Sequence, residues 1–168
     1  PASAWAAGAP VPQGLVGATS EIPRGAGATS SFAAIQDLPL ATTLLHQRAA
    51  TLGRGSTLKL ALAQLGGRIV RSRIDNRLMG QGSSVEQVEI VFGGTDQLFD
   101  LTSYTRHVGE DTTGNLLSKA VLQQGSRAYI KGLIPLEQTA RGTARFLGEF
   151  GVIRDPESGP VTGPCPAR

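Results

Sequence analysis

The stretch GGRIVRSRIDNRLMGQGSSVEQVEIVFGG, residues 66–94, decides the fold. Its two runs, RIVRSRIDNRLM and SVEQVEIVF, are parted by GQGS and bounded by glycine pairs. In the second run Val88, Ile90 and Phe92 share one parity, and Gln87, Glu89 and Val91 the other. Period two marks a strand, because successive side chains leave a pleated backbone on opposite sides. No apolar stripe at helical spacing runs through the stretch.

The same reading extends in both directions. STLKLALAQL precedes the stretch, and QLFDLTSYTRH, GNLLSKAVLQ, SRAYIKGLIPLE and TARFLGEFGVI follow it. GEDTTG at 109–114 and QGS at 124–126 separate the later runs. Within SRAYIKGLIPLE, Ala128, Ile130, Ile134 and Leu136 face one way, and Tyr129, Lys131 and Leu133 the other. Seven short strands with turns roughly every 12–14 residues fit a solenoid, a sandwich or a barrel. Aromatics are only 5% of the chain. That favours stacked rungs, each burying a narrow aliphatic layer against its neighbours. The expected core is Ile69 or Ile74, Val88, Ile90, Phe92, Ile130 and Ile134.

The flanks read differently. Residues 1–30 are rich in Ala, Gly, Pro, Ser and Thr, and are expected to form an arm or linker with few long-range contacts. Residues 31–52 are expected to be a short helical or irregular lead-in, interrupted at Pro39, with a strand as the alternative. The β core is assigned to residues 53–153 and an irregular tail to 154–168.

Composition narrows the function. The net charge of +3 is weak, and no basic face with interleaved aromatics appears, so nucleic acid is not an expected partner. Arg68, Arg71, Arg73 and Arg77 form the clearest basic cluster and read best as a solvated sheet face. One cysteine, Cys165, excludes an intrachain disulfide and fits a reducing compartment. No apolar run reaches the length of a membrane span, and the cytoplasm is the default location.

Candidate chemistry is thin. His107 stands near Glu110 and Asp111, a His–carboxylate grouping that could move protons or bind a metal. The only other histidine is His46, and the bland reading of His107 as a turn residue is preferred. GEDTTG lacks the ligand pattern of a calcium loop and the lysine of a phosphate loop. Asp96 with Asp100, or Glu86 with Glu89, are the acid pairs a glycosidase would need, but nothing marks an apolar pocket beside them. No catalytic, cofactor-binding or metal residue is therefore assigned.

Two blocks of residues together resemble the core domain of the SufB/SufD family, scaffold proteins of the SUF iron–sulfur cluster assembly system. The first block spans residues 53–100 and carries Gly55, Gly66, Arg71, Leu78, Gly80, Gly82, Gln97 and Asp100. The second runs from Thr105 and His107 through Thr113, Ser118, Lys119, Ala120, Val121, Leu122, Ser126, Arg127 and Ala128 to Gly132, and Ala140 follows at a further family position. The resemblance covers about residues 35–153. It implies an all-β, right-handed parallel β-helix. It also implies a noncatalytic role with a SufC-like ATPase and a SufB/SufD-like subunit; a homodimer is a further option. The family's later Cys/His region and C-terminal helices have no counterpart, so no cluster role passes to Cys165. The resemblance thus implies a truncated or divergent member that binds no cofactor alone, with a transient iron–sulfur cluster only in a full complex. A polysaccharide-active β-helix and a purely structural interaction domain are the rival readings.

Overall fold

The computed structural model describes residues 13–162, and among these every regular element is a strand. In chain order they are β1 (Gly14–Arg24), β2 (Thr29–Gln36), β3 (Thr42–Leu52), β4 (Thr57–Gln64), β5 (Ile69–Leu78), β6 (Ser84–Gly93), β7 (Leu98–His107), β8 (Thr113–Leu122), β9 (Arg127–Leu133), β10 (Ala144–Ile153) and β11 (Gly159–Thr162). Odd-numbered strands form one parallel sheet in the order β1-β3-β5-β7-β9-β11, and even-numbered strands form a second, β10-β8-β6-β4-β2. The chain therefore alternates between two sheets, half a coil at a time. Thr57 pairs with Ser84 and Ser84 with Thr113, so a coil takes about 28 residues. This is a β-solenoid, as the strand periodicity and glycine separators predict. All seven expected strand runs, β4 to β10, are present.

The lead-in departs from expectation. Residues 14–52 form three strands rather than an arm and a helical or irregular segment. β1 pairs with β3 along its whole length, from Gly14↔Thr42 to Arg24↔Leu52. Its residues are small and weakly apolar, but a parallel neighbour supplies the ladder hydrogen bonds that local propensity does not. The tail also holds a strand, since β11 pairs with β9. Trp5 and Cys165 lie outside the described residues.

Stacked turns hold the coils in register. Gly53, Gly80 and Gly109 lie one above another at the turns that lead from the odd to the even sheet. The amides of Met79 and Gly80 donate to the Leu52 carbonyl at 3.0 and 3.1 Å, and those of Val108 and Gly109 to the Leu78 carbonyl, both at 3.0 Å. Gly55 and Gly82 adopt φ of 62° and 69°, a conformation that costs glycine little. Asp111 occupies the equivalent place with φ 55°. The next residue closes the turn: the Ser56 and Ser83 hydroxyls donate to the Gly53 and Gly80 carbonyls, each at 2.8 Å. Both serines are fully buried. Ser83→Ala should therefore cost about 1 kcal/mol of folding stability, measurable by denaturant titration.

The aliphatic interior has two parts. Leu52, Leu58, Leu60, Leu62, Ile74 and Leu78 fill one side, and Val70, Val91, Phe99, Leu101, Leu122 and Ile130 the other. Of the expected core, Ile74 and Ile130 are buried, whereas Val88 and Ile134 are only half-buried. Ile69, Ile90 and Phe92 are exposed by 40%, 44% and 42%, which corrects the expectation for β6. Its inward residues are Val85, Gln87, Glu89 and Val91. The turn stack fixes where β6 begins, and a strand whose first residue is fixed cannot move its apolar parity inward without slipping by one residue.

Candidate functional site: a buried polar column

Between the two aliphatic parts the sheets present polar side chains to each other. Arg48 on β3, Gln64 on β4, Ser72 and Asn76 on β5, Gln87 and Glu89 on β6, Ser103 and Thr105 on β7 and Ser118 on β8 are all at most 5% exposed. Each occupies an inward parity position of its strand. They form a column that runs from coil to coil along the solenoid axis.

Hydrogen bonds link neighbouring members. The Asn76 amide donates from Nδ2 to Gln87 Oε1 at 2.9 Å and to Thr105 Oγ1 at 3.1 Å. Gln87 Nε2 donates onward to Ser103 Oγ at 2.8 Å. Gln64 Nε2 donates to Glu89 Oε1 at 3.1 Å, and Arg48 Nη1 makes a long contact of 3.5 Å with Ser72 Oγ. Arg48 Nε, Gln64 Oε1 and Asn76 Oδ1 are buried without a protein partner, so the column carries spare donors and acceptors. A half-satisfied polar interior costs stability relative to an apolar one.

Ionisation in the column follows from burial. Desolvation pushes the Glu89 carboxyl up from its usual range, while the Gln64 amide and the Arg48 charge pull it back. Burial lowers Arg48, and Glu89 opposes that. A raised carboxyl pKa means that the folded protein holds this proton more tightly than the unfolded chain. The stability linked to Glu89 is then full below the unfolded value near 4.5 and is lost as pH rises through the higher folded value. Glu89→Gln keeps the shape and removes the titration. It should melt with the wild type at pH 4 and at a higher temperature than the wild type at pH 8.

His107 lies at the end of β7 and is fully buried. Its Nδ1 lies 2.7 Å from Thr112 Oγ1, and Nε2 has no protein partner. Burial first, and the Arg145 charge second, lower its pKa. A depressed histidine contributes stability above its unfolded pKa of 6.5 and loses it as pH falls through the folded value. His107 and Glu89 therefore tilt the pH profile in opposite senses.

The other sequence candidates are dispersed. Glu110 and Asp111 sit exposed in the turn, where Asp111 Oδ2 accepts from Gln81 Nε2 at 3.1 Å. Asp96 lies in a turn at φ 56° and Asp100 on the outer face of β7, so one strand does not carry both. Asp100 bridges Arg71 and Lys131, each at 3.2 Å. Glu86 faces outward, 3.4 Å from Lys59, while Glu89 faces inward. Arg71, Arg73 and Arg77 share the outer face of β5 as expected, but Arg73 is paired with Asp75 at 2.9 Å and stacks on Tyr104 at 4.7 Å. His46 accepts from or donates to Ser20 at 3.1 Å, well away from His107. Among the described residues no three of His, Cys, Asp and Glu are grouped to hold a metal ion. No helix among them is long and apolar enough to cross a membrane.

Fold and interior define a class: a two-sheet parallel solenoid with in-register glycine turns and a polar axis. A family model described as the SUF system FeS cluster assembly SufBD core domain matches residues 6–162, and the chain belongs to that family. It is 25% identical over 122 residues to the iron–sulfur cluster assembly protein SufD of Bacillus subtilis, covering 72% of this chain and 28% of that relative. It is 25% identical over 89 residues to iron–sulfur cluster assembly SufBD family proteins of Mycobacterium bovis and Mycobacterium tuberculosis, covering 53% of this chain and 10% of each relative. The chain thus spans less than a third of the length of these curated relatives. No solved structure matches it.

Proposed function

We propose that this chain is a noncatalytic scaffold segment for iron–sulfur cluster assembly, acting in the cytoplasm with a SufC-like ATPase and a SufB/SufD-like subunit. The observation that carries this reading is the family match, which takes in every strand from β1 to β11. The placement of the ionisable groups supports it. Asp100, Glu86, Asp111 and His107 are each engaged by a basic, amide or hydroxyl partner that holds the solenoid together. The cluster is cargo in this scheme. Its iron takes several thiolates, and the chain offers Cys165 alone, so the ligands come from the assembled complex.

Affinity capture from native extract with the full-length gene product tests the reading. Recovery of a SufC-like ATPase is the expected result. Recovery of no such ATPase, together with cleavage of an acidic polysaccharide by the pure protein, would overturn it. Anaerobic reconstitution of the isolated chain should give no stoichiometric cluster absorption; a stable cluster on the monomer would refute the division of ligands.

A further inference from the structure

The two outer faces of the solenoid differ in chemistry. The face of the odd-numbered sheet carries Arg71, Arg73, Arg77, Arg106 and Lys131, interleaved with Asp75 and Asp100. The face of the even-numbered sheet is apolar over most of its area. Register aligns Ile35, Ala63, Ile90, Lys119 and Phe150 in one row across all five strands. A neighbouring row holds Phe92, Val121 and Val152. Ile35 is 76% exposed, Phe146 53%, Phe150 57% and Val152 58%. Lys119 is the one charged side chain within the apolar part, and its aliphatic stem can lie along Ile90 and Phe150. Contiguous apolar surfaces of this size are uncommon on monomers.

The geometry points to a second copy of this chain as the occupant, packed even sheet against even sheet about a twofold axis. Area is the first argument. Five strands at about 4.8 Å and eight to ten residues at about 3.3 Å give a face of roughly 650 Å². Two such faces bury about 1,300 Å², above the roughly 1,000 Å² that a specific interface needs. Charge is the second. Stacking the even face on another copy's odd face would strand arginines on apolar surface, and odd on odd would oppose like charges. Even on even opposes neither, because the rim holds both signs in the Lys59–Glu86 pair. Shape is the third, since two twisted sheets pack face to face at about 10 Å and about −30°.

Sedimentation equilibrium of the chain from 1 to 200 µM tests this, with circular dichroism confirming the fold of each variant. The expected result is a monomer–dimer equilibrium in the micromolar range. The double variant Ile90→Glu, Phe150→Glu should weaken it at least ~100-fold, because it buries unpaired carboxylates at the centre of the contact. Both side chains point away from the interior, so the fold should survive; if it does not, Val152→Lys on the even face serves the same purpose. Gln47→Glu on the odd face should leave association unchanged. A wild type that stays monomeric at 200 µM overturns the proposal. So does association that ignores the even-face variants, which would place the contact at the terminal strands. The readout is mass alone and needs neither ATPase nor cluster, so its failure and the failure of the scaffold reading are separate results.

Discussion

Gly80→Ala is expected to cost about 4 kcal/mol or more, among the largest effects a single methyl group can have. A Cβ at Gly80 would stand inside the backbone of Gly53 and Arg54, in the turn one coil away. Backbone held by ladder bonds on both sides cannot retreat as a flexible side chain would. The same contact repeats upward, since a Cβ at Gly109 would come within 2.6 Å of the Gly80 carbonyl carbon. For a chain of this length the loss corresponds to a fall in melting temperature of roughly 8–16 °C. Gly17→Ala is the matched comparison, because a Cβ there meets nothing within 4 Å and its φ is not positive. It should change stability by less than about 0.5 kcal/mol. Equal melting of the two variants would show that the turns do not stack as described.

The second large effect separates two phenylalanines. Phe99 on β7 is fully buried in the second aliphatic part, whereas Phe92 on β6 is 42% exposed on the outer face. Phe99→Ala should cost about 3–5 kcal/mol, through lost burial and the cavity left behind. Phe92→Ala should cost under about 1 kcal/mol for folding of the monomer. Chemical denaturation at a concentration low enough to keep the protein monomeric would read both. Should Phe92 prove the costlier position, β6 would have the opposite face inward.

These two residues also mark the limits of sequence reading. The strands were legible because alternation and glycine turns are local signals, and GQGS and QGS fall at turns of the solenoid. The facing of β6 was not. Val88, Ile90 and Phe92 are the apolar set, and the ordinary expectation turns them inward. Here the Gly80–Ser83 turn and the register with β4 and β8 set the parity, and both are non-local. The column was hidden for the same reason. Gln64, Asn76, Gln87 and Glu89 resemble solvent-facing residues until the sheets are laid face to face. Their one sequence trace was a parity shared with buried aliphatics, as Gln87 and Glu89 share it with Val85 and Val91. β1 and β2 escaped notice because Ala, Gly, Ser and Thr give weak alternation, and their order comes from pairing with β3 and β4.

In-register pairing has a further consequence for how the molecule comes apart. Each strand bonds only to the strands directly above and below it, so no long-range crossing contact ties the ends to the middle. Opening is then a matter of position along a stack, as in a zipper with two free ends. β1 and β2 at one end, and β10 and β11 at the other, have a neighbour on one side only. They set the first steps, whereas β5, β6 and β7 let go last. Any partner that seats on a terminal strand supplies the missing neighbour. Such a partner therefore acts as a clasp, slowing the loss of coils it never touches.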